Sequence, residues 1–194
     1  MSTDTDSPEN SVDADALSRD ELESRIENLE SRLRDIEAKE AGPKKMSIIA
    51  TKGTLDMAYP PLILASTAAA FGWDVTVFHT FWGLDILHKK HSKNLKMSSV
   101  GNPNTPLPNI VAALPGMDRV TTKMMEKQID DNNTATIQEL LETSLEMGVE
   151  FQACQMTIDL MGYDEDDFFD GVTTGVGAAT AIQQMADSDI QLMI

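Results

Sequence analysis

The sequence predicts an α/β domain, with a mostly parallel sheet of four or five strands, helices on both faces and a coiled-coil helix in front. Short apolar runs such as Met46–Ala50 and Asp74–His79 alternate with longer stretches of helical composition. Strand, helix and strand follow one another within residues 46–79, and such a unit builds parallel sheet with a right-handed crossover. The preceding helix is predicted by Leu22, Ile26, Leu29, Leu33 and Ile36, whose spacings of 4, 3, 4 and 3 are the a/d seam of a coiled coil.

Residues 1–16 hold almost no apolar side chains and are expected to be disordered. Residues 17–40 follow as the coiled-coil helix, with charged side chains filling most gaps and neither Gly nor Pro interrupting. The seam reads either as an oligomerisation helix or as a helix packed on its own domain, and its strict spacing favours association. Ala41-Gly42-Pro43 closes the helix and opens a domain over residues 44–194. Met46–Ala50 reads as a buried strand and Lys52-Gly53-Thr54 as a turn. Leu55–Phe71 is an Ala-rich helix in which Pro60 and Pro61 predict a kink or a late start, with Gly72 as its stop. Asp74–His79 is the second strand. Phe81-Trp82-Gly83-Leu84 leads into a short helix ending at Lys89-Lys90-His91.

The stretch 92–115, with Gly101 and Pro103, Pro106, Pro108 and Pro115, reads as a long irregular loop of the kind that covers sites. Ile137–Met147 is an amphipathic helix with Thr134 or Thr136 as its cap and Gly148 as its stop. Val149–Cys154 is a third strand, Gln155–Met161 a helix ended by Gly162, and Asp164–Asp170 an acidic turn. Thr173–Met185 reads as a small-residue helix and Ile190–Ile194 as a final strand.

The formal charge of −17 argues against nucleic acid, whose phosphates are bound by Lys and Arg displacing counterions. Residues 1–40 carry thirteen acidic and five basic side chains, and the remainder of the chain is acidic as well. Acidity spread over a domain with an ordinary apolar core reads either as the solvated surface of a protein from a salt-loving organism, with a halophilic archaeon as the expected source, or as a mildly acidic mesophile protein with an acidic tail. No stretch approaches the roughly 18 consecutive apolar residues of a membrane-spanning helix. The acidic, polar beginning is not a secretory signal, and a single cysteine makes no internal disulfide. The expected location is the cytoplasm.

Open parallel sheets place their sites at the carboxyl ends of the strands. Here those ends are Lys52-Gly53, His79-Thr80-Phe81-Trp82 and Cys154-Gln155, which face one crevice if the strands are neighbours. Cys154 stands where a strand passes into a helix. Unpaired N–H groups in a first helical turn stabilise an anion there, which lowers a thiol pKa and suits a persulfide. The position alone equally allows a small buried hydrophobe. Lys52 and His79 are the candidate proton donors or anion partners, although a histidine at a strand end can also be structural. Trp82 and Phe81 read either as an apolar wall around sulfur or as core. Asp159, five residues past Cys154, reads as a capping or pairing group.

One Cys and three His give no zinc spacing. There is no phosphate loop and no dinucleotide fingerprint, since Gly175-Val-Gly177 runs into Ala178-Ala179. No cofactor is expected.

The segments Ile48-Ile-Ala-Thr-Lys-Gly-Thr-Leu55, Thr80-Phe-Trp-Gly-Leu84 and Ala153-Cys-Gln-Met-Thr-Ile-Asp-Leu-Met-Gly162 resemble the DsrE/DsrF-like family, in its predicted peroxiredoxin-like branch, over residues 44–194. The resemblance implies a flavodoxin-like three-layer sandwich, assembly into homo-oligomers, and a cysteine that receives and passes sulfane sulfur. The family cysteine falls on Cys154, and the implied partners are rhodanese-like or TusA-like carriers. Three functions are therefore expected to compete: a sulfurtransferase-like carrier, a non-enzymatic oligomeric binding or regulatory module, and a small-molecule or nucleotide-binding domain.

Overall fold

The computed structural model describes residues 18–40, 42–98 and 116–194. The acidic tail 1–16 and positions 99–115 of the Gly/Pro-rich stretch lie outside the described residues. The chain divides after Gly42 into two units.

The first unit holds α1 (Arg19–Glu40), an unbroken helix. Ser18 caps it: its hydroxyl accepts from the Glu21 N–H at 3.2 Å, and the Glu21 carboxylate accepts from the Ser18 N–H at 3.0 Å. This reciprocal pairing satisfies donors that a helix start leaves open.

In the second unit β1 (Lys45–Ala50), β2 (Asp74–His79), β3 (Glu150–Cys154), β4 (Thr173–Val176) and β5 (Ile190–Met193) form one sheet in the order β4-β3-β2-β1-β5. Every pairing is parallel. The chain steps outward from β1 to β4 and then returns past β1 for β5. α2 (Leu55–Ala70) and α5 (Ile137–Glu146) pack together on one face, and α7 (Ala178–Ala186) lies against β1 on the other. This is a three-layer α/β sandwich. Its three central strands, β1, β2 and β3, are buried on both faces, which is why they read as apolar runs, while the edge strands β4 and β5 are partly exposed. Ile48, Val77, Phe151, Leu62 and Leu141 are the large side chains at its centre.

Four elements differ from the pattern reading. α3 (Leu84–Leu87) ends before Lys89-Lys90-His91, because His88 turns extended and bridges to Phe168. α2 starts at Leu55, with Pro60 and Pro61 inside it, rather than after them. The start is held because the Thr54 carbonyl accepts from the N–H groups of Met57 and Ala58 at 3.0 and 2.9 Å, and Leu55 N–H donates to Lys96. Thr173–Met185 is not one helix but β4 followed by α7. Gly175, at φ 73°, sits in a bulge: two steps along β3, from Gln152 to Cys154, pair with three along β4, from Thr173 to Val176. Finally, α4 (Met117–Asp131) is a helix where the sequence carried no clear signal. Its inward positions include Thr122, Met125 and Ile129, a thin stripe with a hydroxyl in it. α5 keeps its expected cap, with Thr136 and Glu139 forming a reciprocal capping box.

Candidate functional site

Register sets the geometry of the site. Ala50 pairs with His79, and His79 with Ala153. The carboxyl ends of β1, β2 and β3 therefore lie in one row, and Thr51, Thr80 and Cys154 come one step beyond it. Cys154 ends β3 and is the N-cap of α6 (Gln155–Met161), with 3% of its surface exposed.

Burial pushes the Cys154 thiol up. The hydroxyl and N–H of Thr157, the hydroxyl of Thr80 and the N–H of Met156 favour the charged sulfur electrostatically and outweigh it, so the net shift is downward. These groups come from the first turn of α6 and from the residue after β2, so the thiolate is solvated by fixed protein dipoles in place of water. Phe81 N–H donates to Thr157 Oγ1 at 3.2 Å, and the two threonine hydroxyls stand 3.2 Å apart. Phe81 occupies a lone pair of Thr157 Oγ1 and the contact between the two hydroxyls uses one of their two protons, which leaves one proton for the sulfur. Phe81 holds φ 48° to do this, a left-handed conformation that a bulky residue adopts only at some cost.

The loops after β1 and β2 are pressed together. A Cβ on Gly53 would collide with the Trp82 carbonyl, and one on Gly83 with the Ala50 carbonyl. Only glycine lets the two backbones approach this closely. His79 locks the same turn. It is fully buried, and its Nδ1–H donates to the Gly83 carbonyl at 2.9 Å. Burial lowers its pKa to about 4, so the ring is neutral at physiological pH.

A family assignment covers this whole arrangement: residues 42–193 match the DsrE/DsrF/DrsH-like family. The chain belongs to that family. It is 46% identical over 159 residues to the sulfur carrier protein DsrE2 of Allochromatium vinosum, spanning 78% of this chain and 98% of that protein. It is 29% identical over 156 residues to the uncharacterized protein YrkE of Bacillus subtilis, spanning 78% and 97%. The crystal structure of the E. coli ychN protein aligns with 78% of this chain and 99% of its own, at a TM-score of 0.44 and 14% identity.

Within this family member, the residues singled out from the sequence occupy distinct places. Lys52 is exposed on the loop after β1. Trp82 is 63% exposed and Phe81 47%, so neither is core. His79 lies in the row just before Thr80 and braces the turn. Asp159 accepts from the Gln155 amide at 2.9 Å, while the other end of that amide accepts from Gly175 N–H at the β4 bulge. Asp159 and Gln155 thus tie α6 to β4. Thr80 and Thr157 are the functional groups that the sequence reading passed over. The signal for Thr157 was its place three residues past Cys154, in the first turn of the helix that the cysteine caps.

Farther along the chain His88 and His91 stack with ring centroids 3.8 Å apart, and Asp85 accepts from Tyr163 and pairs with His91, each at 2.8 Å. No helix among the described residues is long and apolar enough to cross a membrane.

Proposed function

We propose that the protein is a sulfur carrier, taking sulfane sulfur onto Cys154 and passing it to a partner thiol. The observation that carries this reading is the place of a buried cysteine at the carboxyl end of β3, as the N-cap of α6, whose first-turn Thr157 contacts Thr80 from the end of β2. The relative named a sulfur carrier supports it.

In the loading step the Cys154 thiolate attacks the terminal sulfur of a donor persulfide or polysulfide. A bond forms from Sγ to that sulfur. The donor's S–S bond breaks, and its electron pair leaves with the donor thiolate. In the unloading step an acceptor thiolate attacks the outer sulfur of the Cys154 persulfide, and the electron pair returns to Sγ. One sulfur atom moves and nothing is oxidised or reduced overall. The Thr157, Thr80 and Met156 donors stabilise Sγ as nucleophile in the first step and as leaving group in the second.

Burial adds direction. With 3% of Cys154 exposed, the inner sulfur of the persulfide is shielded and the outer one is what an acceptor meets. The chain has one cysteine, so donor and acceptor are other molecules or another subunit. Rhodanese-like and TusA-like carriers fit that role in a reducing cytoplasm. Trp82 and Phe81 offer them an apolar landing surface, and Lys52 a positive charge for an anionic sulfur chain.

Incubation with inorganic polysulfide tests this. Intact-protein mass should rise by one or more sulfur atoms, dithiothreitol should reverse the rise, and Cys154→Ser should show none. Reversal by thiol separates a persulfide from sulfinic acid, which has similar mass and resists thiols. A wild-type protein that gains no reversible sulfur overturns the reading.

A further inference from the structure

Beyond sulfur transfer, α1 carries a charge code for self-association. The positions 22, 26, 29, 33 and 36 lie on one face of a helix, and Leu22, Ile26, Leu29, Leu33 and Ile36 are each 45–60% exposed. The 4-3-4-3 spacing fixes the heptad phase: Leu22, Leu29 and Ile36 are d, while Ile26 and Leu33 are a. The flanking positions then follow. Glu23, Glu30 and Glu37 fall at e, and Arg25 and Arg32 fall at g. The outer positions b, c and f carry Asp20, Glu21, Ser24, Glu27, Asn28, Ser31, Arg34 and Asp35, all polar.

All e positions from residue 23 to 37 are acidic and both g positions between them are basic. In a parallel coiled coil each g residue faces the e residue of the next heptad on its neighbour, whereas in an antiparallel pair g faces g and e faces e. The parallel, in-register arrangement sets Arg25 against Glu30 and Arg32 against Glu37 of the other copy, along both edges of the seam. The antiparallel arrangement sets Arg against Arg and Glu against Glu. Glu23 is already engaged by Arg19 of its own helix at 3.2 Å, which leaves Glu30 and Glu37 for the neighbour.

We propose that α1 associates with α1 of another copy of this chain as a parallel, in-register coiled coil, with Arg25–Glu30 and Arg32–Glu37 pairs selecting the orientation. The occupant of the seam is the same chain because one helix supplies both halves of the charge pattern.

Full-length protein in a Cys154→Ser background tests this with Leu22→Cys, near one end of the helix. Parallel register places residue 22 opposite itself, so mild oxidation should give efficient cross-linking of Leu22→Cys chains. Adding Arg25→Glu and Arg32→Glu should lower the yield severalfold. Mixing that chain with one carrying Leu22→Cys, Glu30→Arg and Glu37→Arg should restore it. Equal yield with and without the charge reversals overturns the proposal. So does preferential cross-linking of a Leu22→Cys chain to a Leu33→Cys chain, which is the antiparallel signature, because antiparallel packing sets d against a.

Discussion

The hydroxyls of Thr80 and Thr157 stand 3.2 Å apart, one at the end of β2 and the other in the first turn of α6. Both lower the pKa of Cys154, which makes the thiolate a product of two loops and not of one helix end. Removing the Thr157 hydroxyl while keeping its shape isolates that effect. In Thr157→Val the sulfur loses a donor and Phe81 N–H loses its acceptor. The pH midpoint of Cys154 alkylation should move up, and stability should fall by about 1 kcal/mol per lost hydrogen bond. Thr157→Ser should restore the midpoint. Asp159→Asn should leave it in place, because Asp159 is held by Gln155 rather than by the sulfur.

The close approach of the first two loops predicts the cost of a single methyl group. Gly53→Ala and Gly83→Ala each drive a Cβ into a backbone carbonyl, of Trp82 and Ala50 respectively. Each should destabilise the fold by about 1–3 kcal/mol or more in denaturant unfolding. Gly177→Ala, where a Cβ meets nothing within 4 Å, should cost far less.

His79 gives a pH signature. Its folded pKa is lowered to about 4 from an ordinary 6.5, so between those values the unfolded chain binds a proton that the native state refuses. Stability contributed by the neutral ring is whole above pH 6.5, falls as pH drops through the window, and is fully lost below pH 4. The loss amounts to roughly 3 kcal/mol. His79→Asn keeps a donor near the Nδ1 position and cannot titrate. Urea unfolding followed from pH 7 to 4 should therefore show a shallower decline for this variant than for wild type. Parallel declines would contradict the buried neutral histidine.

Much of this was legible in the chain. The three central strands are apolar runs bounded by Gly or polar residues, and parallel burial makes such runs conspicuous. Cys154 could be placed at a strand end because Gly148 and Gly162 frame its strand and helix. β4 was hidden because it has four residues and spends one, Gly175, on a bulge, so its small side chains read as helix. α4 was hidden because Thr122 interrupts its thin apolar stripe. The roles of Thr80 and Thr157 depend on the register of β2 against β3, a long-range relationship that no local spacing encodes. The e and g charges of α1, by contrast, are wholly local and follow from the seam once its phase is fixed.

The direction of attack on a loaded cysteine tests the carrier role most directly. Protein loaded with polysulfide, freed of excess reagent and mixed with a small thiol peptide, should return to the free thiol while the peptide gains one sulfur atom, both followed by mass spectrometry. That outcome requires attack on the outer sulfur, as the burial of Cys154 dictates. A mixed disulfide between Cys154 and the peptide, with sulfide released, would show attack on Sγ itself and contradict sulfur carriage on this residue.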